Sequence, residues 1–100
     1  MQAMESQAQE VAGFLKGLAN THRLLILCRL GADEKSVTQL IEETGIAQTS
    51  MSQHLAKLRD EGIVSYRRDH RTLYYKVSNP AIRDIMEVLY DHFCGKIDND

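Results

Sequence analysis

Two sets of side chains in this sequence are candidates for chemistry beyond packing. The first is polar and cationic. Gln48, Thr49, Ser50, Ser52, Gln53, Lys57 and Arg59 fall within one short helical stretch, and Arg67, Arg68, His70 and Arg71 cluster soon after it. Amides and hydroxyls hydrogen-bond base edges, and cations hold phosphates, so this set suits contact with DNA. The second set is the pair of cysteines, Cys28 and Cys94. Three readings are open for them. Cysteine often simply packs in a core. Two thiols can form a redox pair. Two thiols with His22 or His92 can also hold a soft metal or metalloid, although no third ligand stands at a standard spacing. Cys28 lies in a Leu/Ile-rich run and Cys94 near a helix C-terminus, and both settings disfavour the thiolate.

The elements that position the polar set are legible over Ser36 to Val64. Ser36 followed by Gln39 reads as a capping box at the start of a short helix. Val37, Leu40 and Ile41 give that helix one apolar stripe. Gly45 ends it, since left-handed backbone costs least at glycine. A second helix keeps Met51, Leu55 and Leu58 on one face and offers its amides, hydroxyls and cations on the other. This is a helix-turn-helix, over 36–61. After Gly62 the pattern changes to period two. Val64, Tyr66 and Arg68 alternate with Ser65 and Arg67, and Leu73, Tyr75 and Val77 alternate with Tyr74 and Lys76. These runs predict a hairpin over 63–78, a wing whose cationic tip reaches phosphate or the minor groove. His54 reads as a structural or DNA-backbone-contacting residue rather than a ligand.

Asn20 caps a helix that is apolar nearly all round, from Leu24 to Leu30, and so belongs in the middle of the domain. Cys28 is on its Leu24 face. The segment Ala32–Lys35 reads as a solvated loop. A helix over 5–18 carries Val11, Phe14, Leu15 and Leu18. Asn79 and Pro80 open a last helix over 80–94, striped with Ile82, Ile85, Met86, Leu89 and Phe93. The expected fold is mainly α with a small β-hairpin, a winged helix-turn-helix of order ααααββα in one domain, 1–100. The terminal helices hold more apolar surface than one small core needs, which predicts a homodimer through 5–18 and 80–94. Two recognition helices then address a pseudo-palindromic site in double-stranded DNA, with half-sites about 34–36 Å apart.

Composition narrows the function classes. The net charge is −2, yet residues 46–78 hold six Lys and Arg against three Asp and Glu, so the rest of the chain is strongly acidic. Such segregation lets one face approach phosphate. No apolar run approaches the roughly 20 residues of a membrane helix. The opening MQAMESQAQE has no basic region or apolar stretch of a signal peptide, so a cytoplasmic location with resting thiols is expected. There is no Cys-x-x-Cys, no glycine-rich phosphate loop, no Gly-x-Ser-x-Gly and no paired carboxylates suited to acid–base work. No enzyme and no cofactor are expected.

The segments THRLLILCRL, SVTQLIEETGIAQTSMSQHLAKLRDEGIV and RRDHRTLYYKV resemble the ArsR/SmtB family of small bacterial winged-helix repressors. The resemblance implies a homodimeric repressor that loses DNA affinity when an inducer binds. Neither metal site of that family is intact. The Cys-x-Cys position of its third helix is Val37–Gln39 here, and Asp84 is followed two residues on by Met86 where the fifth-helix zinc site needs His. Ala47 stands where relatives often have a capping serine. One cysteine late in the second helix and another at the end of the fifth are similar to the sulfide- and persulfide-responsive branch. That similarity implies that Cys28 and Cys94 sense reactive sulfur species and release DNA on forming a disulfide or polysulfide bridge. The alternatives are a metal- or metalloid-responsive repressor of the same fold, and a non-sensing regulator or antagonist of another DNA-binding protein.

Overall fold

Three of the described helices start where a side chain satisfies their first N–H groups. In the computed structural model, which describes the backbone of residues 2–94 and the side chains of residues 7–93, α1 spans Gln2–Leu18 and α2 spans Thr21–Leu30. The Asn20 carboxamide oxygen accepts the Arg23 N–H at 3.2 Å and opens α2. α3 (Val37–Thr44) has the capping box expected of Ser36 and Gln39. Ser36 Oγ accepts the Gln39 N–H at 3.1 Å, and Gln39 Oε1 accepts the Ser36 N–H at 2.9 Å.

The turn between α3 and α4 (Gln48–Asp60) is fixed by two devices. Gly45 takes the left-handed conformation, φ 76°, and its N–H donates to the Ile41 carbonyl at 2.8 Å. The Thr44 hydroxyl donates to the Leu40 carbonyl at 2.6 Å and accepts the Ile46 N–H at 3.2 Å. α4 itself begins without a side-chain cap: Ala47 has none to offer, and neither Gln48 nor Thr49 replaces it.

β2 (Val64–Asp69) and β3 (Thr72–Val77) form the expected antiparallel hairpin, with Val64 opposite Val77 and Asp69 opposite Thr72. A short strand β1 (Lys35–Ser36) joins its other edge, giving the order β1-β3-β2. The sequence predicts a loop over 32–35. Two residues have no periodicity to detect, and β1 exists only because β3 offers an unpaired edge to Lys35 and Ser36.

α5 (Pro80–Leu89) is opened by Asn79, whose side-chain oxygen accepts the N–H groups of Ala81 and Ile82 at 2.9 and 3.2 Å. The helix expected over 80–94 runs without a break to Cys94 but is not α throughout. After Leu89 the backbone widens to a π-helical turn, Tyr90–Cys94, a departure that sequence periodicity does not signal. α1 is longer than expected at its start, by three residues.

The core is one cluster. Ile26, Leu27 and Leu30 of α2, Leu40 of α3, and Met51, Leu55 and Leu58 of α4 meet Ile63 and Ile82, all essentially without solvent exposure. Among the described residues, the large apolar side chains left exposed are Val11 and Leu15 of α1, Leu25 of α2, Tyr66 of β2, and Val88, Tyr90 and Phe93 at the chain's end. Among the described residues no helix is long and apolar enough to cross a membrane.

Two substitutions scale these contributions. Ser36→Ala, which removes one half of the capping box, is expected to cost about 1 kcal/mol, and Ile26→Ala, which leaves a cavity, about 2–5 kcal/mol. Urea denaturation at fixed protein concentration measures both; a neutral Ser36→Ala would show that the box does not hold the first helix of the motif.

Candidate nucleic-acid interface and the surroundings of Cys28

The face of α4 opposite Met51, Leu55 and Leu58 is a continuous polar surface. Gln48, Thr49, Ser52, Gln53 and Lys57 are exposed, while Ser50 is half-buried at its edge. His54 is also half-buried. Its ring meets that of His22 at 5.4 Å between centroids, edge to face, and so ties the start of α2 to the middle of α4. Burial, followed by the neighbouring charges of His22, Arg23 and Lys57, lowers the His54 pKa below the ordinary value of 6.5. Arg59 turns away from this face, its guanidinium 5.6 Å from the centre of the Tyr66 ring.

The hairpin divides the four wing residues that the sequence grouped together. Strand alternation sends Arg67 and Arg68 to opposite faces of the sheet. Arg67 is opposite Tyr74 in the ladder, and its guanidinium stacks over that ring at 4.7 Å. Its Nε donates to both carboxylate oxygens of Glu34, at 2.9 and 3.0 Å. Arg67 therefore braces the wing against the segment before β1. Arg68 and Arg71 are exposed and make no ion pair among the described residues. His70 turns the hairpin in the left-handed region, φ 60°, with Nδ1 3.2 Å from the Asp69 carboxylate. Histidine is one of the few residues other than glycine that tolerate this conformation.

Neither Glu34 nor Tyr74 was singled out by the sequence. Glu34 is 33 residues from Arg67, and only the pairing of β1 with β3 brings them together. The alternation within each strand run is read from the sequence, but the register that sets Tyr74 opposite Arg67 comes from the hairpin pairing.

Cys28 is half-buried on the outer side of α2. It forms part of the wall of two cavities. One, of about 630 Å³, is polar at its rim and includes Arg29, Asp33, Arg83 and Glu87. The other, of about 410 Å³, is apolar and includes Leu24, Leu25, Leu89 and Phe93. Met86 and Tyr90 line both cavities with Cys28, so the thiol stands between α2 and the end of α5. The backbone of Cys94 closes the π-turn that follows α5; its side chain lies outside the described residues. Among those residues, no three His, Cys, Asp or Glu side chains gather as a metal site would need.

Three comparisons bear on this arrangement. Residues 20–66 match the family described as "Bacterial regulatory protein, arsR family". The nodulation protein NolR of Rhizobium meliloti is 45% identical over 84 residues, covering 84% of this chain and 69% of that protein. The biofilm growth-associated repressor of Xylella fastidiosa is 38% identical over 93 residues, covering 93% and 82%. Among solved structures, reduced HlyU from Vibrio cholerae superposes with a TM-score of 0.88 at 36% identity, over 94% of this chain and 99% of that one. The homodimeric winged helix-turn-helix DNA-binding domain of a possible ArsR-family regulator from Mycobacterium bovis gives 0.77 at 25% identity, over 100% and 93%.

The His54 environment yields a pH dependence. Folding holds its pKa below that of the unfolded chain, so the unfolded state takes up the proton first as pH falls. The contribution is complete above about 6.5 and is lost progressively below it. Chemical denaturation of the protein from about pH 7 to about pH 5.5 should show declining stability, and His54→Asn should flatten the decline. An identical decline in the variant would assign the effect to other groups.

Proposed function

Because the chain belongs to the arsR family of bacterial regulatory proteins, we propose that this DNA-binding transcriptional regulator is a cytoplasmic dimeric repressor with a thiol switch. The observation that carries the switch is the position of Cys28, on α2 facing Met86 and Tyr90 of the last turns, in the wall of two cavities. A thiol there can respond to a small reactive molecule and change how α2 packs on α5.

The reader is α4 with the wing. Gln48, Thr49, Ser52 and Gln53 address base edges, with Ser50 at the margin. Lys57, Arg68, His70 and Arg71 hold phosphates on either side, and Arg67 joins them if phosphate displaces Glu34. The dimer forms through the apolar residues that the core leaves out, Val11 and Leu15 on α1 with Val88, Tyr90 and Phe93 at the chain's end. The homodimeric state of the M. bovis domain supports this assembly. Two copies of α4 then reach successive major grooves of a pseudo-palindromic operator.

The signal is a persulfide. The Cys28 thiolate attacks the outer sulfur of R–S–SH, the S–S bond breaks, and R–S⁻ leaves and takes up a proton; Cys28 becomes Cys28–S–SH. The Cys94 thiolate then attacks the inner sulfur and expels hydrosulfide, giving a disulfide. If both thiols have become persulfides, they condense to a trisulfide with loss of hydrogen sulfide. Either bridge fixes the end of α5 to α2. That helix also carries the dimer surface, so the bridge alters the spacing of the two α4 helices and DNA is released.

Replacing either Cys28 or Cys94 by Ser should leave DNA affinity intact and abolish release by an organic persulfide, read by fluorescence anisotropy. Release that persists in both variants would sink the thiol switch. Arg68→Ala and Arg71→Ala should each weaken binding to all sequences and reduce the slope of log affinity against log salt by about one. A slope unchanged in both would remove the wing from the interface.

A further inference from the structure

The larger of the two cavities beside Cys28 carries charged groups on a mostly apolar wall, a pattern that a bare thiol switch does not require. Arg29 of α2 and Arg83 of α5 supply two guanidinium groups to its wall, and Asp33 and Glu87 supply two carboxylates. All four are exposed, and none makes an ion pair among the described residues. Lys35, also on the wall, is by contrast engaged by Glu43. Beneath the charges lie Leu27, Leu30 and Met86, all buried. At about 630 Å³ the space is within the usual range of small-molecule pockets, about 300–1,000 Å³.

We propose that this cavity is a binding site for a small zwitterionic sulfur compound of the amino-acid or short-peptide type. Arg29 and Arg83 take its carboxylate, because the planar guanidinium matches a carboxylate with two parallel hydrogen bonds. Asp33 and Glu87 take its ammonium group, and its aliphatic and sulfur atoms lie on the apolar floor beside Cys28. The proposal rests on the persulfide reading only in naming the physiological occupant, an amino-acid-type persulfide R–S–SH. Bound there, it hands its outer sulfur to the Cys28 thiolate and leaves as R–S⁻, which is protonated to the thiol. The site thus makes the switch selective for carboxylate-bearing donors over inorganic ones. The apolar cavity on the other side of Cys28 has no charged group on its wall and offers no such selection.

The test uses the full chain carrying Cys94→Ser, in which Cys28 is the remaining thiol. Its alkylation is timed with iodoacetate, an anion, and with iodoacetamide, its neutral counterpart. The ratio of the two rates should exceed that of the same chain in denaturant several-fold. Arg29→Ala with Arg83→Ala should return the ratio to the denatured value while leaving the iodoacetamide rate and DNA binding unchanged. S-methylcysteine should protect Cys28 from iodoacetamide better than 3-(methylthio)propionate, which lacks the amine, and Asp33→Asn with Glu87→Gln should erase that difference. A rate ratio equal in the arginine variants and their parent overturns the site. Intact mass after cysteine persulfide separates the two readings. Iodoacetate preference without sulfur addition supports the site and overturns the persulfide signal; sulfur addition without the preference does the reverse.

Discussion

The constraint on which the rest of this structure depends is that a chain of one hundred residues can bury only one apolar cluster. α2 and α4 contribute most of it. Ile26, Leu27 and Leu30 commit one side of α2, and Met51, Leu55 and Leu58 commit one side of α4. Once those faces are spent, the opposite faces have no freedom in where they look. That of α4 must present its glutamines, serine and lysine to solvent, and that of α2 must present Leu24, Leu25 and Cys28 toward the end of α5. The polar face of α4 and the placement of the thiol are therefore consequences of one packing solution, on two helices that share one core.

The two helices are also tied at their ends, outside that core. Arg23, nine-tenths buried, donates to the Gly17 carbonyl at 2.9 Å and lies 3.7 Å from the Glu61 carboxylate just beyond α4. A Cβ at position 17 would stand 2.8 Å from Glu61 Oε1, so a side chain there would push the flexible Glu61 carboxylate aside. His22 meets His54 one residue earlier on α2. A change in how α2 sits is thus felt in α4 through a cation, a ring pair and the shared apolar cluster. Arg67 makes a second connection. It is held by Glu34, beside Asp33 and Lys35 on the wall of the polar cavity, so the wing and the surroundings of Cys28 are linked through one short segment.

Much of the fold was legible because it is written in local rules. The capping box of Ser36 and Gln39, the left-handed Gly45, and Asn79 followed by Pro80 each act within four residues, and each appears in the structure as expected. The hairpin was legible because alternation over 64–69 and 72–77 reports a half-buried sheet. The missed features are those whose cause lies elsewhere in the chain. β1 is stabilised by β3, nearly forty residues away, and the π-turn after Leu89 breaks a helical stripe that continues through Phe93 in sequence. Of the candidate site, the polar face of α4 followed from periodicity alone, whereas the separation of Arg67 from Arg68 and the two cavities around Cys28 did not.

The sequence by itself determined the class of machine. Residue types at helical and strand spacing specify a helix-turn-helix, a wing and apolar terminal helices, because hydrophobic periodicity and capping are properties of neighbours along the chain. Tertiary structure decided what each charged or sulfur-bearing side chain can do. It gave Arg67 to Glu34, left Arg68 and Arg71 outward, set His54 against His22, and opened a charged cavity on one side of Cys28 and an apolar one on the other. Those outcomes depend on distances of a few ångströms between residues far apart in sequence, and burial of the common core is what brings them within that range.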